Sequence, residues 1–252
     1  MTALLEAIGL KKHFGGVWAT NGVDLALAEH ELHALIGPNG AGKTTLIHLV
    51  SGSLRPDAGR LRLAGRDITA RSMHERVAMG ITRSFQISQV FSELTALENV
   101  RLAVQGRRSD AGSSFRFWRP ASAEVWMIEE AEEWLGQVGL AEQAGCLARE
   151  LAYGERRALE LAMALATRPR ILLLDEPMAG LGPEEAERMT HLLAALKGKL
   201  TMLLIEHDME VVFKLADRLS VLVEGRILTT GTPETVRADP AVRRAYLGEE
   251  RA

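Results

Sequence analysis

Residues 37–44 read GPNGAGKT, a full match to G-x-x-x-x-G-K-[ST]. The pattern constrains the fold because it works only where a strand runs in and a helix runs out. The apolar-rich run Glu31 to Ile36 ends at Gly37, and Lys43 to Val50 reads as a helix closed by Gly52. Glycines let backbone N–H groups converge on phosphate oxygens with no side chain in the way. The helix N-terminus adds partial positive charge. Gly37, Pro38, Asn39, Gly40, Ala41 and Gly42 are therefore the expected cradle for the phosphates of ATP. Lys43 is expected to reach the β- and γ-phosphates, the Thr44 hydroxyl to ligate Mg2+, and Thr45 to help hold phosphate.

A second signal lies at the ends of other apolar runs. Ile171 to Leu174 is continuously aliphatic and ends in Asp175 and Glu176. Leu200 to Ile205 ends in Glu206 and His207, and Ser220 to Val223 is a third such run. Runs like these are typical of parallel strands buried on both faces. The stretch Glu184 to Leu196, closed by Lys197 and Gly198, has helical spacing and separates the first two. Strand, helix, strand repeats imply a parallel sheet flanked by helices, with ligands at its carboxyl edge. Asp175 is expected to hold magnesium through water, and Glu176 to polarise the attacking water. A positioned base contributes ~100- to 10,000-fold in rate. The alternative for Glu176 is a cap for the turn before Pro177.

Elsewhere the first sixty or so residues read as short strands, with Val23, Leu25 and Leu27 alternating against Asp24, Ala26 and Ala28. Gly59 to Ala64 reads as another strand. From Phe91 to Met163 the pattern turns helical, apart from a basic-aromatic loop, Arg107 to Pro120.

Residues 151–157 read LAYGERR, followed by ALELAMALATRP and then the Asp175 strand. This resembles the signature of ABC ATPases, whose common form is LSGGQ or LSGGE. Further matches fall in family order. Gln86, in RSFQ, resembles the Q-loop; Ala179 to Pro183 (AGLGP) stands at the D-loop position; His207, in LLIEHDM, resembles the switch histidine. Phe14, in KKHFGG, stands where the family places its adenine-stacking aromatic, although it could simply be core. The resemblance covers nearly the whole chain. It implies an α/β fold: a P-loop (RecA-like) ATPase core with a parallel sheet, an N-terminal antiparallel β subdomain and an inserted α-helical subdomain. The single domain 1–252 would then divide into a core, 1–87 and 164–252, a helical subdomain, 88–163, and a C-terminal tail, 236–252. Lys43, Glu176 and His207 would be catalytic. Thr44, Gln86 and Asp175 would hold magnesium. Ala152, Tyr153, Gly154 and Glu155 would meet ATP held by an opposite subunit, so two sites need two chains packed head to tail.

Three positions depart from the family pattern. Ala152 replaces the signature serine, Tyr153 a glycine, and Gly182 the D-loop aspartate. With the FGG, RSFQ, AGL-x-P, IEHDM and closing RAYLGE segments, they resemble one branch: branched-chain amino acid importers, specifically the ATPase with the longer helical insertion. Here that insertion is Arg107 to Val125. Its Phe115, Phe117 and Trp118 either contact membrane subunits or pack on the helical lobe. The resemblance implies a paralogous second ATPase, two membrane permeases and an external substrate-binding protein. The alternatives are an exporter ATPase, as in lipopolysaccharide export, or a soluble ABC ATPase outside transport.

Composition fits. Hydrophobic residues make up 47% and charged residues 25%, a globular mix. A formal net charge of -3 argues against nucleic-acid binding. Cys146 is the one cysteine, so no internal disulfide forms; it reads as a structural thiol in a reducing compartment. No apolar run approaches bilayer length, and Met1 to Leu10 carries no basic leader. The chain is expected at the cytoplasmic face of the cell membrane, held there by partners. His13, His30, His33, His48, His74 and His191 match no motif and read as ordinary core or surface residues.

Overall fold

The computed structural model describes residues 3–84, 90–107 and 121–247, with the side chains of 121–124 and 245–247 excepted. It divides into two compact units: Met1–Arg83, Arg170–Glu176 and Leu193–Ala252 form the first, Ser84–Pro169 and Pro177–Leu192 the second.

The strands are β1 Ala3–Phe14, β2 Val17–Ala28, β3 Leu32–Ile36, β4 Ala58–Leu63, β5 Arg66–Asp67, β6 Ile81–Ser84, β7 Ile171–Asp175, β8 Thr201–Ile205, β9 Arg218–Val223 and β10 Arg226–Gly231. The helices are α1 Lys43–Ser51, α2 Met73–Ala78, α3 Ala96–Arg107, α4 Ala121–Gln137, α5 Tyr153–Ala166, α6 Pro183–Leu196, α7 Met209–Leu215, α8 Pro233–Ala238 and α9 Pro240–Leu247.

In the first unit, β2-β1-β4-β5 form one sheet, with β1 antiparallel to β2 and β4. β10-β9-β3-β8-β7-β6 form the other, parallel from β9 through β7. All residues of β3, β7 and β8 are buried, so apolar residues run on without alternating, with His33, Asp175 and Thr201 as the polar exceptions. β10 is an edge strand, antiparallel to β9. Leu5, Val23 and Leu27 from the first sheet, Leu35 and Leu203 from the second, and Ile47 and Val50 from α1 belong to one core cluster. Burying each such side chain stabilises by roughly 1.5–3 kcal/mol.

The short strands expected at the N-terminus are two long ones, of 12 residues each. Register shifts break the β1–β2 pairing between Ala7 and Leu10 and between Leu10 and Lys11. Gly9 supplies the left-handed backbone there (φ 58), and its N–H donates to Asp24 Oδ1 at 2.7 Å. Such a bulge bends one long hairpin so that it reads as several short strands.

Register positions the site. Asp175 lies level with Ile205, and Ile205 with Leu35, so Glu176, Glu206 and Gly37 all emerge at the carboxyl edge of the sheet. The helix leaving that edge is held at its far end by a buried arginine. Arg76 donates from Nη1 to Leu49 O (2.5 Å) and Val50 O (2.8 Å), from Nη2 to Thr69 O (3.0 Å) and from Nε to Arg71 O (3.1 Å). It is fully buried, and burial pushes its guanidinium down to about 10. Gly52 ends α1 at φ 86, and a Cβ there would press within 3.1 Å of Arg76 Cδ.

In the second unit, α3, α4 and α5 pack together around Glu130. Arg107 grips its carboxylate through two bonds (2.8 and 3.0 Å), and Arg168 Nε adds a third at 2.9 Å. The Arg107 bonds hold that carboxyl below the usual range.

Replacing Arg76 with Met leaves four carbonyl acceptors without this donor. Urea unfolding of Arg76→Met is expected to show a loss of at least about 3 kcal/mol. Arg76→Lys should not restore it, because one ammonium cannot reproduce the planar fork.

Candidate nucleotide site

The phosphate loop joins β3 to α1 and is wedged between two backbone carbonyls. A Cβ on Gly37 would collide with Leu222 O, and one on Gly42 with Ala19 O. Gly40 (φ 78) and Gly42 (φ 104) are left-handed. Gly225 N–H donates to Ala41 O at 3.0 Å, and Asn21 N–H to Gly225 O at 2.7 Å, which ties the loop to both sheets. Lys43 folds back over the loop, donating from Nζ to Gly37 O (2.6 Å) and Pro38 O (3.0 Å). Asn39, Gly40 and Thr44 are exposed, and Pro38 and Thr45 are half-buried. The N-terminal end of α1 thus presents an anion-binding concavity whose shape needs glycine.

Asp175 ends β7 and is buried. Arg83 Nη2, from β6, donates to its Oδ2 at 2.7 Å; the two side chains are 8% and 1% exposed. Glu176 follows in left-handed backbone (φ 50), its N–H donating to Ile205 O at 2.9 Å. A non-glycine residue held there costs roughly 1–3 kcal/mol, and such strain clusters at functional sites. Burial lowers the Lys43 ammonium, while Glu176 and Asp175 pull it back up. Burial and then Arg83 push the His48 imidazole down, with Asp175 opposing. His48, read from sequence as ordinary, therefore feels the charges of the site.

His207 follows β8 with its side chain 70% exposed and Nδ1 3.8 Å from Glu206 Oε2. Asp208 starts α7, its Oδ1 accepting from Glu210 N–H at 2.9 Å. Phe14 ends β1, 51% exposed, with Lys12 Nζ 5.8 Å from its ring centroid. An exposed aromatic at a hairpin tip is available for stacking; the core alternative for Phe14 is not what the structure shows.

Among the described residues no group of three or more His, Cys, Asp or Glu could hold a metal ion. Magnesium does not need one: it takes one or two protein oxygens together with water and substrate phosphates. The Asp175 carboxylate and the exposed Thr44 hydroxyl are such oxygens, so the residues fit this ion. Gln86 lies outside the described residues, as do Phe115, Phe117 and Trp118.

In the second unit, Ala152 is the N-cap of α5. Glu155 Oε2 accepts from Ala152 N–H at 2.8 Å, but Ala152 has no side-chain oxygen to return the bond. Tyr153 O–H donates to Ala179 O at 3.1 Å. The Glu185 carboxylate fills the space beside Gly154, so a Cβ there would make that side chain swing aside. Sequence reasoning missed both Tyr153–Ala179 and Arg83–Asp175. The one available signal for the latter is a charge, Arg83, directly after the apolar start of β6.

The description "ABC transporter" belongs to the family model matching residues 20–179, more than half the chain. A second, "Branched-chain amino acid ATP-binding cassette transporter", matches residues 226–252. The chain is similar to the high-affinity branched-chain amino acid transport ATP-binding protein BraF of Pseudomonas aeruginosa, 42% identical over 250 residues and 98% of each chain. It is also similar, at 35% over 251 residues and 99% of each, to the lipopolysaccharide export system ATP-binding protein LptB of Acidithiobacillus ferridurans. The crystal structure of the ADP conformation of an ATP-binding cassette of an ABC transporter superposes with TM-score 0.84 at 32% identity, covering 98% of this chain and 100% of that one.

Removing Arg83 alone strands a buried carboxylate. Arg83→Met is expected to lower the unfolding free energy by ~3–5 kcal/mol, and Arg83→Met combined with Asp175→Leu to recover most of it. Chemical denaturation measures both; equal losses in the two variants would mean that the pair is not the cause.

Proposed function

Because the chain belongs to the ABC transporter family of ATP-binding cassettes, we propose that it is the ATP-hydrolysing subunit of an importer for branched-chain or related amino acids. One observation carries the enzymatic reading: a glycine-dependent phosphate loop and the Asp175–Glu176 pair emerge at the same sheet edge. Two others support the importer: the branch-like LAYG signature, and a C-terminal segment matching the branched-chain amino acid model.

The work of the chain's own residues follows from their positions. The loop amides and the α1 N-terminus bind the phosphates, and Lys43 neutralises the β- and γ-oxygens. Phe14 stacks on adenine. Glu176 accepts a hydrogen bond from the attacking water and orients it at the γ-phosphorus; as the water oxygen bonds to phosphorus, the bond to the bridging oxygen of ADP breaks and the water's proton passes to the Glu176 carboxylate. His207, free to swing from its exposed position, donates to the γ-phosphate. Asp175, Thr44 and Gln86 would hold a magnesium ion, which would supply charge neutralisation at the phosphates.

One chain carries one phosphate loop and one signature, so two chains complete two sites. Ala152 lacks the serine hydroxyl. A hydrogen bond to a charged group contributes roughly 1.5–3 kcal/mol, so closure rests more on backbone N–H groups at the α5 N-terminus. Closure and reopening would move the second unit against membrane permeases. The partners we propose are a paralogous ATPase, two permeases and, beyond the membrane, a substrate-binding protein. No helix of the described residues is long and apolar enough to cross a membrane. In this reading the permeases hold the chain at the cytoplasmic face.

Glu176→Gln is expected to keep ATP binding while phosphate release falls ~100-fold or more. Equal release by the two proteins would reassign the base. Affinity purification of the tagged chain from gently solubilised host membranes is expected to bring two distinct permeases and a second, shorter ATPase. One permease type with this ATPase as a homodimer would favour the exporter reading instead.

A further inference from the structure

Within the second unit, two side chains lace the signature turn to the segment that follows Glu176. Tyr153 O–H donates to Ala179 O at 3.1 Å. Its oxygen accepts from Arg157 Nε at 3.1 Å and Nη2 at 2.9 Å. A phenolic oxygen has one hydrogen to give; with Arg157 supplying the donors to its lone pairs, that hydrogen is directed at Ala179. Arg157 is itself fixed: its guanidinium lies over the Tyr153 ring at 5.3 Å, and its Nη1 donates to Glu160 Oε2 at 3.2 Å. A Cβ on Gly180 (φ 78) would come within 3.1 Å of the ring, so the segment is moulded to the tyrosine. From the other side Glu185 accepts from Gly182 N–H at 3.0 Å and fills the space that Gly154 leaves.

These bonds form where the chain departs from the usual ABC pattern. Tyr153 replaces a signature glycine, and Gly182 replaces the D-loop aspartate, so a side chain leaves one segment and another enters its neighbour. Tyr153 is 40% exposed, so its hydroxyl bond is not incidental to core burial. Only Pro177 and Met178 separate Ala179 from Glu176 along the chain. Glu176 is held in left-handed backbone, where a small torsional change redirects its side chain.

We infer that Tyr153 is a positioning residue that transmits capture of a partner-held γ-phosphate at the signature to the Ala179–Gly182 segment of its own chain, and so to Glu176. The inference rests on the two-cassette reading proposed above. Phosphate bound at the α5 N-terminus pulls the signature turn; the Tyr153 hydroxyl and Glu185 carboxylate make Ala179 to Gly182 move with it. ATP in one site thereby readies the base of the other, which is energetic coupling between sites.

The test uses the ATPase purified with its partners, and Tyr153→Phe, which keeps the ring on Gly180 and Arg157 but removes the hydroxyl. Hydrolysis is measured against ATP concentration, alongside the thermal midpoint and ATP binding by the free chain. The parent is expected to give a Hill coefficient above one, bounded by its two sites. The variant is expected to fall to about one, with ATP binding by the free chain unchanged and a thermal shift below about 4 °C. Unchanged steepness in the variant, whatever its melting, overturns the inference and leaves the two-cassette reading intact. A parent with a Hill coefficient of one also overturns the inference, whereas a purified complex that holds a single cassette overturns the two-cassette reading itself.

Discussion

Two backbone carbonyls, Ala19 O and Leu222 O, come so close to the phosphate loop that only glycine fits at positions 42 and 37. This contact gives the loop its shape without a ligand. The carbonyls belong to β2 and β9, one from each sheet, so the antiparallel hairpin and the parallel sheet act together as the mould. Any substitution with a Cβ at either glycine must push a strand out of its ladder. The cost is shared by the core cluster that both sheets build, which places the loop under the control of the fold. The Arg76 anchor at the far end of α1 serves the same purpose: a helix whose N-terminus must point at phosphate is fixed by its carboxyl end.

Charge is arranged around that mould in pairs. Arg83 answers Asp175 in the buried layer, and Lys43, lying over the loop carbonyls, feels Glu176 and Asp175 together. Before nucleotide arrives, these two cations and two carboxylates balance. ATP with magnesium adds net negative charge, which the loop amides and helix dipole absorb only in part. The remaining attraction is available to whatever positive end approaches next. In the proposed dimer that is the N-terminus of α5 from the opposite cassette. Since Ala152 offers no hydroxyl, the backbone N–H groups there take on a larger share.

Much of this was legible in the residues. GPNGAGKT announced strand, loop and helix, and α1 begins at Lys43 as its pattern requires. The aliphatic runs ending at Asp175 and Ile205 announced doubly buried strands, because a strand covered on both faces has no polar side to alternate with. What could not be read depended on partners distant in sequence. Arg83 and Asp175 are 92 residues apart, and nothing local marks a basic residue on β6 as the mate of a carboxylate on β7. Nothing in the local sequence marks Arg76 for burial; it is the packing of α2 beside α1 that buries it. The long hairpin was hidden because Gly9 and its bulge interrupt the alternation that would have shown it.

The departures at 152, 153 and 182 read singly as losses: a missing hydroxyl, a bulky intruder, a missing carboxylate. Together they exchange one kind of connection for another. A serine at 152 would return the capping bond to the Glu155 backbone N–H and offer its hydroxyl to a phosphate; alanine does neither, and the start of α5 is left with fewer constraints. Tyr153 supplies a constraint from outside the helix, through Ala179 and Arg157. Gly182, without a side chain, leaves its N–H for Glu185, whose carboxylate lies in the open space beside Gly154. Each substitution makes room for, or replaces the work of, another. A serine restored at 152 alone would therefore add a phosphate donor but leave the Tyr153 link as the route between signature and D-loop.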